Sequence, residues 1–232
     1  MAPPNSLLLV DFDNTITLGD TLDSVIRTFS RSARWEQWQE AWLAGRMSTR
    51  ECLQRQMGDL RVGRDALFAF LSGVRIDPGF AALQDWARRT GATMLVVSDN
   101  FDPIVRAIFA HHGIAPPPVM ANDLAFDGDR LVPGFPHADP ACPGCAHCKS
   151  VHYARYPGLH RIYVGDGRSD LCAAPRADLV FAKDRLAEGL RERRKPYRPF
   201  RDLAEVAQAL HRDVGETALE TASAGSGRGC PA

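Results

Sequence analysis

The chain has 232 residues with 28 basic and 28 acidic side chains, a formal net charge of zero and 45% hydrophobic content. That size and content suit one large domain, or a core with a small appendage, around a sizeable buried interior. Interspersed, balanced charge argues against nucleic acid as partner, no stretch approaches the roughly twenty apolar residues that span a bilayer, and Asp11 arrives before a signal-peptide core can form, so a cytoplasmic protein is expected.

In chain order, Ser6 to Val10 reads as a short buried strand. The insert from about Asp20 to Gly73 shows no strand pattern, only helical stripes: Leu22, Val25, Ile26, Phe29; then Trp35, Trp38, Trp42; then Leu53, Met57, Leu60. Ser48-Thr49-Arg50-Glu51 has capping-box spacing at one helix start. The tryptophans are read as packing rather than as a ligand-stacking box. Phe80, Leu83 and Trp86 predict a helix within Asp77 to Arg89, Thr93 to Val97 a strand, Ile104 to Phe109 a helix ended by His111-His112-Gly113, and Val119 to Ala121 a strand. Leu124-Ala125-Phe126 and Leu131-Val132 flank Asp127-Gly128-Asp129 as a hairpin with a tight turn. Strands at Arg161 to Val164 and Leu179 to Phe181 follow, then a helix striped by Leu203, Val206, Ala207 and Leu210. This alternation argues for an α/β sheet with helices on both faces. The expected division is a core of residues 1–19 and 74–214, a helical cap of residues 20–73, and a disordered tail of residues 215–232, rich in Gly, Ala, Ser and Thr. The basic group of Arg191, Arg193, Arg194, Lys195, Arg198 and Arg201 is expected to stay solvated at a helix end.

Chemistry concentrates at strand ends. Leu8-Leu9-Val10 stops at Asp11-Phe12-Asp13-Asn14-Thr15, and alternation lets Asp11 and Asp13 face the same way in the crevice where parallel sheets bind ligands. One carboxylate can attack phosphorus while the other moves a proton. Val96-Val97 ends in Ser98-Asp99, and Ile162-Tyr163-Val164 ends in Gly165-Asp166-Gly167-Arg168-Ser169-Asp170. So many like charges need a cation; hard oxygen ligands at three strand ends suit magnesium, and Lys149 can return a further positive charge. Turn formers or helix caps would explain any one of these residues, but not all of them together.

In this order, D-x-D-x-T at Asp11 to Thr15, Ser98, Lys149 and G-D-G-x-S-D at Gly165 to Asp170 resemble the four motifs of the haloacid-dehalogenase superfamily of phosphatases, across most of the chain. The branch it resembles is the phosphoserine-phosphatase type, with the methionine-salvage methylthio-ketose phosphatases and the phosphoethanolamine/phosphocholine phosphatases nearest. The resemblance implies a Rossmann-like core with an inserted helical cap that closes over the site. It also implies roles: Asp11 as catalytic nucleophile, forming an aspartyl-phosphate; Asp13 as general acid then base; Thr15, Ser98 and Lys149 on the phosphoryl oxygens; Asp11, Asp166, Asp170 and the Asp13 carbonyl around magnesium. Ser169 departs from the Asn often found there. Asp20 and Asp99 are expected to border the substrate, and acidic residues around these positions face a cationic headgroup in the amino-alcohol enzymes. Asp99 also stands where the phosphoserine and methionine-salvage members commonly have glycine.

Cys142, Cys145 and Cys148, with His137 upstream, offer four ligands to a structural zinc; reduced thiols packing a loop beside Lys149 are the other reading. Similar Cys-rich loops precede the lysine in the resembling branch. Cys52, Cys172 and Cys230 look isolated and inert, and His111, His112, His152, His160 and His211 carry no catalytic assignment. The expected activity is magnesium-dependent hydrolysis of a small phosphorylated metabolite, a methionine-salvage-type ketose phosphate first, with phosphoethanolamine, phosphocholine or phosphoserine as alternatives. A non-catalytic, zinc-stabilised interaction protein is the reading from another class. A dehalogenase is disfavoured because those relatives lack the counterpart of Asp13, while transfer to an acceptor other than water stays open.

Overall fold

The computed structural model describes residues 5–142 and 144–213. The expected disordered tail and Cys230 lie outside them. Seven strands form one sheet: β1 (Ser6–Asp11), β2 (Thr93–Phe101), β3 (Val119–Asp127), β4 (Arg130–Gly134), β5 (His160–Gly165), β6 (Leu179–Ala182) and β7 (Arg198–Pro199). Their order is β4-β3-β2-β1-β5-β6-β7, with every pairing parallel except the β3/β4 hairpin. The chain therefore leaves central β1 toward β2 and β3, then returns to its other side through β5, and this reversal opens a crevice at the carboxyl ends of the strands.

The side-chain period of two divides β1 between two cores. Leu8 and Val10 join Val96, Ile162 and Val164 on one face, where α5 (Phe80–Thr90), α6 (Asp102–His111) and a helix over 203–213 pack. Leu7 and Leu9 join Leu95, Val97 and Tyr163 on the other, under α7 (Asp184–Glu192) and the 3-10 turn Lys149–Arg155. The expected α/β sheet with helices on both faces is the observed fold. Asp77 fastens the first layer, accepting from Gly79 N (2.7 Å) and Leu203 N (3.1 Å). A Cβ on Gly79 would sit 2.1 Å from Ala204 N, so only glycine permits that approach.

Between β1 and β2 lie α1 (Thr21–Phe29), α2 (Arg34–Leu43), α3 (Thr49–Asp59) and α4 (Arg64–Leu71). Ser48 caps α3 as its spacing predicted, accepting from Glu51 N at 3.1 Å. Val25, Ile26, Leu53, Met57, Leu67 and Leu71 belong to the same apolar cluster as Leu8 and Val10, so the insert shares the interior of the sheet. α2 differs, since it has no buried residue. Trp35 packs partly against the cluster, Trp38 lies under the Arg34 guanidinium, and Trp42 faces the cleft described below. Packing thus accounts for Trp35 but not for Trp42, which corrects the reading of the tryptophan stripe.

The hairpin turns at Gly128-Asp129, with Gly128 at φ 62° supplying the left-handed residue that such turns need. β2 and β3 run past their expected ends, with a register shift between Val97 and Phe101. Among the described residues no helix is long and apolar enough to cross a membrane.

Candidate active site

A cleft of about 590 Å³ opens where β1, β2 and β5 end, with α1, α2 and α3 opposite. Asp11, Asp13, Ser98, Asp99 and Asp166 line its floor; Asp20, Leu22, Ile26, Trp42 and Leu53 line the wall above.

Lys149 is fully buried and spends all three ammonium protons, on Asp11 Oδ1 (2.5 Å), Asp170 Oδ1 (2.6 Å) and Ser169 Oγ (3.3 Å). Asp170 Oδ1 also accepts from Tyr163 OH (2.6 Å), while its Oδ2 accepts from Asp166 N (3.1 Å) and Gly167 N (2.9 Å). A Cβ on Gly165 would stand 2.4 Å from Asp170 Oδ2, so this turn needs a bare backbone there. Burial and the Asp170 charge push the Asp11 carboxyl well above its ordinary range, with Lys149 pulling back. Burial, then Asp170, raises Asp166 to about 6.

Asp13 points elsewhere, accepting from Asn100 Nδ2 (3.0 Å) and Thr21 N (3.0 Å). Burial, then the Asp20 charge, lifts it to about 7. Such a carboxyl is protonated over part of the neutral range and can both give and take a proton.

Carboxylate oxygens of Asp11, Asp166 and Asp170 all lie within 4.8 Å of one another. Two buried carboxyls on one lysine, with the half-buried Asp166 beside them, fit a hard divalent cation. The Asp13 side chain is not in this group, which leaves only its main-chain carbonyl for the expected ligand role. All four acceptor positions of Asp170 are taken, so it suits holding Lys149 and the Asp166 turn rather than binding a metal directly.

Other expectations shift. Thr15 is buried and donates to Asp166 Oδ1 (3.2 Å) instead of facing the cleft floor. Asp99 accepts from His147 N (2.9 Å), so it tethers the loop before Lys149 as well as lining the cleft. Asp20 is the N-cap of α1, accepting from Asp23 N at 2.8 Å. Ser98 holds Asn100 N through its Oγ (3.0 Å). His137 is grouped with His147 and His152, apart from the three cysteines, because loop 137–148 doubles back and buries both later histidines. The proposed His137-plus-three-Cys zinc set is therefore not assembled. Cys172 is not isolated, since its thiol meets that of Cys145, and Cys52 lines the cleft.

Asn14, Asn100 and Tyr163 escaped the sequence reading. Asn14, at φ 54°, donates to Asp166 Oδ2 (2.8 Å) and Asp184 Oδ2 (3.2 Å). The available signal was periodicity: Asn100 lies two residues beyond Ser98 on β2, and Tyr163 alternates with Ile162 and Val164 onto the opposite face. Arg168 crosses to the insert, donating to Leu43 O (2.5 Å) with its guanidinium 5.9 Å from the Trp42 ring. Thr49 N donates to Gly144 O (3.0 Å), a second tie between insert and core.

The profile of the haloacid dehalogenase-like hydrolases matches residues 8–175. A protein of Brevibacillus brevis named 2-hydroxy-3-keto-5-methylthiopentenyl-1-phosphate phosphatase is 31% identical over 217 residues, covering 90% of this chain and 97% of its own. One of the same name from Geobacillus kaustophilus is 30% identical over 213 residues, 89% of this chain and 96% of its own. The phosphoserine phosphatase solved as a phospho-aspartyl intermediate analogue shares the fold at TM-score 0.65, with 19% identity, 90% of this chain and 99% of that one.

Proposed function

The chain belongs to the haloacid dehalogenase-like hydrolases and is a phosphatase of that family, and from that premise we propose that Asp11 takes the phosphoryl group of a small methylthio-ketose phosphate. Phosphatases of this family generally use Mg2+. Asp11 forms a P–O bond as the ester P–O bond breaks, and Asp13 gives its proton to the departing oxygen. Asp13, now a carboxylate, takes a proton from water as that water attacks phosphorus, releasing phosphate and restoring Asp11. Ser98 borders the phosphoryl group, Lys149 holds Asp11 from behind, and Asn100 and Thr21 N orient Asp13. Magnesium held by the Asp11 and Asp166 carboxylates and the Asp13 carbonyl would supply charge neutralisation on the phosphoryl oxygens.

The observation that carries the substrate class is the wall facing these carboxylates. Leu22, Ile26, Leu53 and the Trp42 ring suit an uncharged thioether tail, which makes favourable contacts with aromatic rings. Charge recognition has less support: Asp99 is engaged by His147 N, and Asp23 is paired with Arg27 at 2.6 Å. The relatives' printed names point the same way. In side-by-side kinetics, kcat/KM is expected to be highest for the ketose phosphate. A preference of about tenfold for phosphoserine, phosphoethanolamine or phosphocholine, about 1.4 kcal/mol of discrimination, overturns the assignment.

Two further outcomes follow from the geometry. Chelation should stop turnover, magnesium should restore it, and calcium should not, because its longer, looser coordination spoils in-line transfer; activity surviving exhaustive chelation refutes the metal role. Asp20→Asn keeps the N-cap but removes a charge that raises Asp13. The Asp13 proton is needed by the leaving group, so kcat/KM should fall as pH rises past about 7. The variant's falling limb should move to lower pH. An unmoved limb in pH–rate profiles with an alkyl phosphate removes the Asp20–Asp13 coupling.

A further inference from the structure

The thiols of loop 142–148 take no part in the phosphoryl chemistry, yet they press against the turn that carries Asp170. Cys142, Cys145 and Cys148 bring their sulfurs within 4.8 Å of one another, Cys142 and Cys145 at 3.2 Å. A tetrahedron with Zn–S bonds of about 2.3 Å has sulfur–sulfur edges of roughly 3.8 Å, within the spread observed. The Cys142-to-Cys145 turn is closed by Cys145 N donating to Cys142 O (3.2 Å).

A fourth sulfur arrives from a different segment. Cys172 ends the 3-10 turn Arg168–Cys172, where its thiol donates to Ser169 O (3.6 Å) and lies close enough to Cys145 and Cys148 to perturb both thiols. Ser150 supplies donors to this group: its main-chain N–H to Cys172 sulfur, and its hydroxyl 3.2 Å from Cys148 sulfur. Donors aimed at sulfur stabilise bound thiolates. The nearby histidines are committed to each other, with His147 Nδ1 on Ser98 O (2.8 Å) and His147 Nε2 on His152 Nε2 (2.7 Å).

We propose that Cys142, Cys145, Cys148 and Cys172 bind one zinc ion as four thiolates, pinning the loop that ends in Lys149 to the turn that holds Asp170. On binding, four S–H bonds give their protons to solvent and four Zn–S bonds replace the ion's water ligands, with no change of oxidation state. The site carries two net negative charges, offset by the Ser150 donors and the adjacent Lys149 ammonium. Its function is structural: both residues it joins contact Asp11 directly or through Lys149.

Untagged, reduced protein, freed of loosely bound metal by brief chelation and gel filtration, should hold about one zinc per chain by elemental analysis. Cobalt exchanged into the wild type should give the intense thiolate-to-cobalt charge-transfer band and tetrahedral d–d envelope of a four-sulfur site. Cys172→Ser should lose about a quarter of that band and retain zinc at least about tenfold more weakly. A His137→Asn/His152→Gln variant should keep both metal and spectrum. Zinc below about a tenth of an equivalent in the wild type, even after stoichiometric zinc is supplied, overturns the proposal, as does zinc lost with the histidines but kept without Cys172. The wild-type cobalt spectrum decides the ligand set should Cys172→Ser not fold, and none of these readouts depends on phosphatase activity.

Discussion

Asp11→Asn should lower kcat about 10³-fold or more while the protein stays folded. The amide is nearly isosteric, and its oxygen can still accept from Lys149 Nζ, which stands 2.5 Å from Asp11 Oδ1. An amide cannot attack phosphorus as a carboxylate does. Stability should hold or rise slightly, because the residue is 5% exposed and burial disfavours its charge. Phosphate release within about tenfold of wild type, from a variant with native circular dichroism and melting temperature, would displace Asp11 from the nucleophile's role.

Lys149→Met should cost both activity and fold. The lysine is 0% exposed and bridges two carboxylates, and a methionine fills similar space while leaving Asp11 and Asp170 without their cation. Breaking a buried pair from one side costs about 3–5 kcal/mol. In a chain of this size that is a fall in Tm of roughly 6–20 °C. The loss should shrink at low pH, where the abandoned Asp11 carboxyl, already raised by burial, takes up a proton, and this distinguishes an electrostatic cause from poor packing. A Tm within about 2 °C of wild type at neutral pH would mean that the pair is not what organises this corner of the site.

Sheet, strand ends and the polar residues at the cleft were readable because buried parallel strands leave an uninterrupted apolar run, and whatever polar residue follows it lies at the crevice. Asp11, Ser98 and Asp166 stood out in this way. Orientation beyond the last strand residue was less readable. Thr15 follows Asn14, whose left-handed backbone turns the chain so that the threonine meets Asp166 instead of the cleft. Asp99 looked like a specificity residue because it follows Ser98, yet alternation and a long-range hydrogen bond to His147 N engage it in holding a loop. Cys172 was misread because its neighbours Cys145 and Cys148 sit on a separate segment more than 20 positions away, where spacing makes no local pattern.

The continuity of the apolar cluster through α1, α3 and α4 limits how this enzyme can vary. Those helices cannot change without disturbing the packing under β1, because Val25, Ile26, Leu53 and Met57 share it with Leu8 and Val10. α2 carries little of that obligation: none of its residues is fully buried and only Trp35 packs against the cluster, while Trp42 and Gln39 on it face the cleft. It is held by a few polar ties, among them Trp42 Nε1 to Thr49 Oγ1 (3.0 Å) and Arg168 to Leu43 O (2.5 Å). Apart from Trp35, the helix Arg34–Leu43 therefore forms an interchangeable panel over a fixed furnace: mutation can redraw what the cleft accepts there while the melting temperature stays where it was.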